Sequence, residues 1–401
     1  MRTLARLIAL ALLRAPLAAP AEDLVVWHAY RGAEKIAFEK VVAAFNAKAT
    51  TKVKVSPLAV PFDAFADKIS AAVPRGKGPD VFIYAQDRMG GWIEAGKTVE
   101  PIDFYVDDAV KAKYIPTTVQ ALSYRGSLWA LPFNYKVITL VYNKKLLPTP
   151  PATTAELVVA AKKLTNKAAG RFGLAWAYGD FYYVASLLNG FGGGVFGPGN
   201  KPTLASPENI KALQLLQQWQ QAGILPAEPS SALIISLFNE GKAAMVFSGP
   251  WFLGEVAKGV DFGLAPLPTL SENGGKPIRP WMTVEGVFVT APCKQKEAAF
   301  EFVKYVTDAE AGKVMALEGR QTPAAKAVYE DPAVKADPLL QAFRKQVEVG
   351  VPMPNLPEMT MVWAPATTAL NKVNAGASPA EALATAQGQV VKDVAGLRKG
   401  K

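Results

Sequence analysis

The 401-residue chain contains one cysteine and one histidine, and that scarcity removes whole classes of chemistry. Zinc and haem centres need several nitrogen or sulfur ligands at suitable spacing, which Cys293 and His28 cannot supply between them. A lone cysteine after Pro292 forms no intrachain disulfide. A Ser-His-Asp or Cys-His site would have to be built around His28, yet no G-x-S-x-G turn accompanies it and Cys293 has no activating neighbour. His28 therefore reads as a polar histidine with its hydrogen bonds satisfied. The one glycine run, Gly192-Gly193-Gly194, lacks the Gly-Lys-Ser/Thr ending of a phosphate cradle and reads as a plain loop. No cofactor or metal is expected.

Long apolar runs and dense basic clusters are also missing. The N-terminal stretch Leu7 to Leu13 is too short to cross a bilayer and is followed by Arg14 and Pro16. With Arg2 and Arg6 before it and Ala19-Pro20-Ala21 after it, residues 1–21 read as a cleaved signal peptide, leaving a mature chain from Glu22. Its loss lowers the formal charge from +10 to +7. The remaining lysines are scattered along helical faces, and the dense group Arg398-Lys399-Lys401 reads as a solvated basic tail (396–401), so no nucleic-acid partner is expected. No cysteine stands near the cleavage site, which points to a soluble periplasmic protein rather than a lipid-anchored one.

What remains is a large chain whose residues are 50% hydrophobic, enough for two packed lobes. A strand at 24–27 precedes a helix at 33–46 with Ile36, Val41, Val42 and Phe45 at helical spacing. Val53 and Val55 alternate as a second strand. A helix at 62–73 carries Phe62, Phe65, Ile69 and Val73 on one face, and Gly78-Pro79-Asp80 turns into a strand at 81–84. This βαβαβ order implies a parallel sheet, with ligands gathering at the carboxyl ends of its strands, where Tyr30 and Asp87 lie. A strand pair at 127–132 and 137–142 comes before the break Pro148-Thr149-Pro150-Pro151, and the first lobe crossing is placed there. The middle section carries helices at 182–188 and 207–222, a helix ending at Gly241, and a strand at 243–247. A second crossing near 281–284 leads into a strand at 287–289 and a helix at 296–307, and the last section is mainly helical.

Aromatic rings sit beside polar residues at expected strand ends and loops: Trp27-His28-Ala29-Tyr30, Tyr84 before Asp87-Arg88, Phe181-Tyr182-Tyr183, Gly249-Pro250-Trp251 and Val362-Trp363. A pyranose has apolar C–H faces that pack on flat rings, while its hydroxyls demand fixed donors and acceptors, so this mixture suits carbohydrate. Trp27 and Phe288 read as core. Trp251, directly after Gly-Pro, reads as a ring presented to a cleft. Asp87, Asp180 and Glu285 could act as the acid and nucleophile of a glycosidase, but acceptors for sugar hydroxyls are the favoured reading.

The ordered set Gly78-Pro79-Asp80, Asp87-Arg88-Met89-Gly90-Gly91, Tyr142-Asn143-Lys144, Phe238-Asn239-Glu240-Gly241-Lys242-Ala243-Ala244-Met245, Gly249-Pro250-Trp251 and Met353-Pro354-Asn355 resembles the maltose/maltodextrin-binding proteins of ABC importers. The resemblance runs over roughly residues 24–389. It implies an α/β, two-lobed periplasmic-binding-protein fold (type II, a flytrap), each lobe a mostly parallel sheet flanked by helices and joined to the other by several hinge crossings. The implied N-terminal lobe is 22–134 with 284–335, and the C-terminal lobe is 137–281 with 338–395. It further implies a monomer that closes over a maltodextrin-like oligosaccharide and delivers it to permease subunits driven by a separate ATPase, with no catalysis. Carried over by motif, Asp87 and Arg88 hydrogen-bond sugar hydroxyls, Tyr182 stacks and hydrogen-bonds, and Trp251 and Trp363 are platforms. Tyr84 stands where the family often has Trp, Arg31 where it has lysine, and Asp180 where it has glutamate. Tyr30 and Asp63 complete the expected sugar-binding set. Lys136 stands where a maltose binder offers a glutamate, and Thr367 where it offers arginine, two departures that bear on the length or identity of the ligand. Rival readings are another sugar or a sugar phosphate, the latter met by Arg31, Arg88 and Lys136, and a ferric site at Tyr182-Tyr183.

Overall fold

The computed structural model describes residues 23–48 and 53–399; the expected leader 1–21 and Lys401 of the basic tail lie outside the described residues. Strands β1 (Leu24–His28), β2 (Val55–Ala59) and β3 (Val81–Ala85) are linked by helices α1 (Gly32–Lys48) and α2 (Phe62–Ala72). β1 lies between β2 and β3 and runs parallel to both, the arrangement that right-handed helical crossovers produce. β2 starts at Val55 and continues through Leu58, opposite Trp27, so Val53 and Val55 mark only its entry.

Two helical faces differ from the spacing. α1 buries Ala37, Phe38, Val41, Val42 and Phe45, an i, i+3/i+4 stripe that Ile36 misses, and Ile36 is 67% exposed. α2 buries Phe65, Ala66 and Ile69, whereas Phe62 is exposed.

After β3 come helix α3 (Met89–Ala95) and strands β4 (Leu131–Lys136) and β5 (Thr139–Asn143). These two strands are not a pair. β4 joins the first sheet and β5 the second, so the chain changes lobes at Val137 and Ile138, before the proline break. The second sheet adds β6 (Phe172–Trp176), β7 (Ala243–Ser248) and β8 (Phe262–Ala265), in the order β8-β5-β7-β6. Between them lie α4 (Phe181–Phe191), α5 (Pro207–Gln221), α6 (Ser231–Asn239) and α7 (Pro250–Leu253).

Strand β9 (Trp281–Val289) then returns to the first sheet, antiparallel to both β3 and β4, and β10 (Val351–Pro352) pairs with its first residues. Helix α8 (Lys296–Val306) covers the first sheet; α9 (Trp363–Asn374) and α10 (Pro379–Lys399) pack together on the second lobe. Both sheets are mixed, with most strands of each running one way: β9 and the short β10 are reversed in the first and β5 in the second. The antiparallel members β5 and β9 enter straight from the other lobe without a crossover helix, and nothing then forces a parallel direction. Among the described residues no helix is long and apolar enough to cross a membrane.

Two of the family-like motifs form one packing unit. A methyl on Gly90 would lie 2.4 Å from the carbonyl oxygen of Asn355 and 2.7 Å from the nitrogen of Pro357. The Asn355 amide in turn donates to the carbonyls of Ala121 (2.9 Å) and Ser123 (3.1 Å). Gly90→Ala therefore costs about 1–3 kcal/mol of overpacking. Gly91→Ala, whose methyl meets only the Thr360 side chain at 3.3 Å, costs less. Urea denaturation of both variants checks this, and equal losses contradict it.

Candidate functional site

β3 ends at Ala85, and a single 3-10 turn, Gln86–Arg88, carries the next residues over the carboxyl edge of the first sheet. Gln86 is fully buried: its amide donates to the Met353 carbonyl (3.2 Å) and its oxygen accepts from Val284 N–H (2.7 Å), fixing the turn to β9 and the Met353-Pro354-Asn355 segment. Asp87 is 5% exposed, with the Arg88 Nε 3.3 Å from its carboxylate. Burial pushes the Asp87 carboxyl up to about 6, against the opposing pull of the Arg88 guanidinium. That guanidinium lies 5.9 Å from the ring centroid of Trp363, the first residue of α9.

Lys136 ends β4 and is 13% exposed at its side chain. Its ammonium lies 2.9 Å from Glu285 and 3.7 Å from Glu34, and 5.5 Å from the ring of Tyr30 and 5.9 Å from that of Trp251. Tyr30 donates its hydroxyl to Glu285 (2.9 Å), and Asn134 donates to both the Tyr30 oxygen (3.1 Å) and Glu285 (3.2 Å). Gln321 donates to Glu34 (2.8 Å). Burial opposes the charge of Lys136, but Glu285 and Glu34 outweigh it and raise its pKa. Burial raises that of Glu34, with Lys136 holding it down. Tyr30, expected as a sugar contact, is buried and its hydroxyl is committed to this network.

The second lobe contributes the rings. Asp180 caps α4, accepting from Tyr182 N–H at 2.9 Å, and burial raises its carboxyl, opposed by that N–H and reinforced by the charge of Asp63. Tyr182 lies edge-on to Trp251 (6.0 Å) and is tilted against Trp281 (6.2 Å), which meets Trp363 at 5.7 Å. Trp251 donates its indole N–H to Tyr183 (3.0 Å). Its ring folds back over Gly249, where a methyl would come within 2.3 Å, so the Gly of Gly249-Pro250-Trp251 is a requirement of space. Arg31 reaches across to Glu255, just past α7, at 2.6 Å.

The structure thus gathers Asp87, Arg88, Lys136, Asp180, Tyr182, Trp251 and Trp363 between the sheets. Tyr84 is only 6% exposed, packed by Phe65 and Trp92. Asp63 is exposed beside it. Sequence reasoning missed Glu34 as a partner of Lys136, Asn134 and Gln321 as donors to its two acids, and Trp281 as the ring between Tyr182 and Trp363; the single usable signal was the odd cation at Lys136, which demands a buried acid somewhere. Two buried polar atoms in the cleft, Tyr182 Oη and Trp363 Nε1, make no hydrogen bond among the described residues, and Arg88 Nε meets only the Asp87 carboxylate.

Other expectations take these forms. His28 is buried and neutral: burial, then the charge of Lys35, lower its pKa to about 4. Its Nδ1 accepts from Tyr30 N–H, but Nε2 has no partner among the described residues, so the histidine is only half satisfied there. Cys293 is buried and free, its thiol pushed up to about 11 chiefly by burial, the opposite of an activated nucleophile.

Lys136→Met removes the charge that holds the Glu34 carboxyl down, so that pKa climbs further. An acid whose folded pKa is raised stabilises the fold at low pH and loses that contribution as pH rises through the folded value. The variant should therefore lose about 3 kcal/mol at pH 8 and clearly less at pH 5, measured by urea denaturation. A deficit independent of pH contradicts the clamp.

Residues 32–313 match the family described as bacterial extracellular solute-binding protein. A maltotriose-binding protein of Pyrococcus abyssi is 33% identical over 309 residues, covering 76% of this chain and 68% of the relative. A galactooligosaccharide-binding protein of Bacillus subtilis is 31% identical over 388 residues, 92% of this chain and 89% of the relative. A solved structure of the Thermus thermophilus maltotriose binding protein bound with maltotriose aligns with a TM-score of 0.84 at 28% identity, covering 93% of this chain and 100% of that one.

Proposed function

The chain belongs to the bacterial extracellular solute-binding proteins, and from that premise we propose that it captures a maltodextrin-type oligosaccharide between its lobes and delivers it to an ABC importer. It is an exported binding protein, not an enzyme. The lobes are 22–134 with 284–335 and 137–281 with 338–395; the leader 1–21 is cleaved, and the monomer works in the periplasm, closing on sugar and docking on permease subunits driven by a separate ATPase.

The observation that carries the reading is a pair of buried donors that make no hydrogen bond among the described residues, Tyr182 Oη and Trp363 Nε1 on half-buried rings, beside the Asp87–Arg88 ion pair. An unmatched buried donor costs about 1–3 kcal/mol, and hydroxyls spaced along a pyranose remove that cost while its C–H faces cover the rings. Asp87, Asp180 and Asp63 accept from hydroxyls, Arg88 and Lys136 donate, Tyr182 stacks and donates, and Trp251 and Trp363 are platforms. Tyr30 and Tyr84 position this layer from behind, and Arg31 ties the lobes together at Glu255.

A sugar phosphate fits less well, because each cation proposed for an anion already faces an acid: Arg31 with Glu255, Arg88 with Asp87, Lys136 with Glu285 and Glu34. A ferric site would require the hydroxyl of Tyr183, which instead accepts from Trp251. A galacto-oligosaccharide is the second reading, favoured by the Bacillus subtilis relative that spans 92% of the chain.

Isothermal titration with maltose, maltotriose, a galactotriose and glycerol 3-phosphate tests the proposal. Maltotriose should bind one to one without being shortened, and Trp251→Ala should weaken it by about 10- to 100-fold. Tighter binding of galactotriose transfers the proposal to that sugar, and saturation by glycerol 3-phosphate alone refutes it.

The pH profile follows from Asp87. A hydroxyl donates to the ionised carboxylate, so binding favours that form, draws the Asp87 pKa below about 6 and releases a proton. Affinity should therefore fall by about tenfold from pH 7 to pH 5, and Asp87→Asn should bind weakly with a flat profile. The sugar-free protein behaves in the opposite sense, losing stability as pH rises through about 6, because its buried carboxyl is easier to keep protonated.

A further inference from the structure

Tyr84 occupies a place where a sugar platform is expected, yet it offers almost no free surface. Its ring lies 5.0 Å from Phe65 at 14° and 5.4 Å from Phe62 at 21°, with Trp92 at 5.8 Å. Phe62 is the open member of this stack. It is 59% exposed, in a protein that buries most of its large aromatic side chains. Leaving such a ring in water forgoes the burial that stabilises its neighbours, and the near-parallel stack on Tyr84 holds it in one orientation.

The surroundings of Phe62 supply both halves of sugar recognition. It is the first residue of α2, and Pro61 before it provides no side-chain cap, so no side chain satisfies the first-turn N–H groups. Asp63 follows it and is exposed. The charge of Asp63 acts both on Tyr84, behind the ring, and on Asp180, at the start of α4 in the other lobe. The stack on Tyr84, three residues before Asp87, therefore places the N-terminus of α2 beside the Asp87–Arg88 end of the site, within electrostatic range of Asp180 in the other lobe.

We propose that Phe62 is an outer platform that holds one further pyranose unit of a bound oligosaccharide, its C–H face on the ring and its hydroxyls met by Asp63 and the uncapped N–H groups of α2. The inference rests on the oligosaccharide reading above. Phe62 supplies the surface that Tyr84 has lost to packing, and it is the solvent-exposed member of the stack, the side on which added length of ligand would emerge. Its contribution consequently depends on chain length: a short sugar held among the inner rings does not reach it, and a longer one does.

The test is calorimetric titration of the full chain, unmodified and as Phe62→Ala and Phe62→Tyr, with the linear series from maltose to maltoheptaose. In Phe62→Ala the ligands long enough to reach the ring should bind about 5- to 20-fold more weakly, maltose should change by less than about twofold, and Phe62→Tyr should retain the unmodified profile. Phe62→Tyr should keep the unfolding midpoint of the unmodified protein, and Phe62→Ala should lower it only slightly, by the lost stack on Tyr84. A uniform loss across the series overturns the platform, since the ring would then act through Tyr84 on the inner site, and so does an unchanged profile. Failure of the unmodified protein to bind any member removes the maltodextrin reading and this inference together, a result distinguishable from both.

Discussion

An ammonium group placed among aromatic rings and shielded from water must be compensated, and the centre of this molecule is organised around that requirement at Lys136. Two carboxylates, Glu285 and Glu34, come to it from separate elements. Those acids need partners for their remaining lone pairs, which draws in Tyr30, Asn134 and Gln321. Desolvating such a group costs several kcal/mol, so the pairs add little net stability; what they add is position. Lys136 is the last residue before the chain leaves the first sheet, and its neutralisation fixes the point from which the second lobe is suspended.

The contacts between lobes have a consistent polarity. Cations come from the first lobe, at Arg31, Lys136 and Arg88. The second lobe answers with Glu255 and with the faces of Trp251 and Trp363. Cation-to-ring attraction at partly exposed sites is worth about 0.5–1 kcal/mol each, enough to orient surfaces and too little to lock them. Each cation also faces an acid, so the rings can give up their cation without leaving an unpaired charge behind.

Local periodicity made the first three strands, most helices and the position of Asp87 at a strand end readable, because each depends on neighbours within one element. It failed where burial depends on distant chain. Ile36 and Phe62 look like core residues by type, and only the packed neighbours of α1 and α2 decide that they are exposed. The separation of β4 from β5 was hidden because two residues suffice to change sheets. The Lys136 cluster was legible only as an anomaly: Tyr30 and Glu285 are 255 positions apart and Gln321 and Glu34 are 287. Among the motif residues Trp251 and Trp363 were the easiest to place, half-buried in the cluster of rings between the sheets, while Tyr84 and Tyr30 were overtaken by packing.

The placement of β9 has a consequence for synthesis. The first sheet needs this strand beside both β3 and β4, yet it starts only at Trp281, after the whole central part of the second lobe has been made. The N-terminal third of a nascent chain therefore has two strands without their partner and cannot finish its own sheet. Contacts of such long sequence separation form slowly, and the delay keeps the polypeptide extended for longer, a useful condition for a chain that has to be threaded out of the cell.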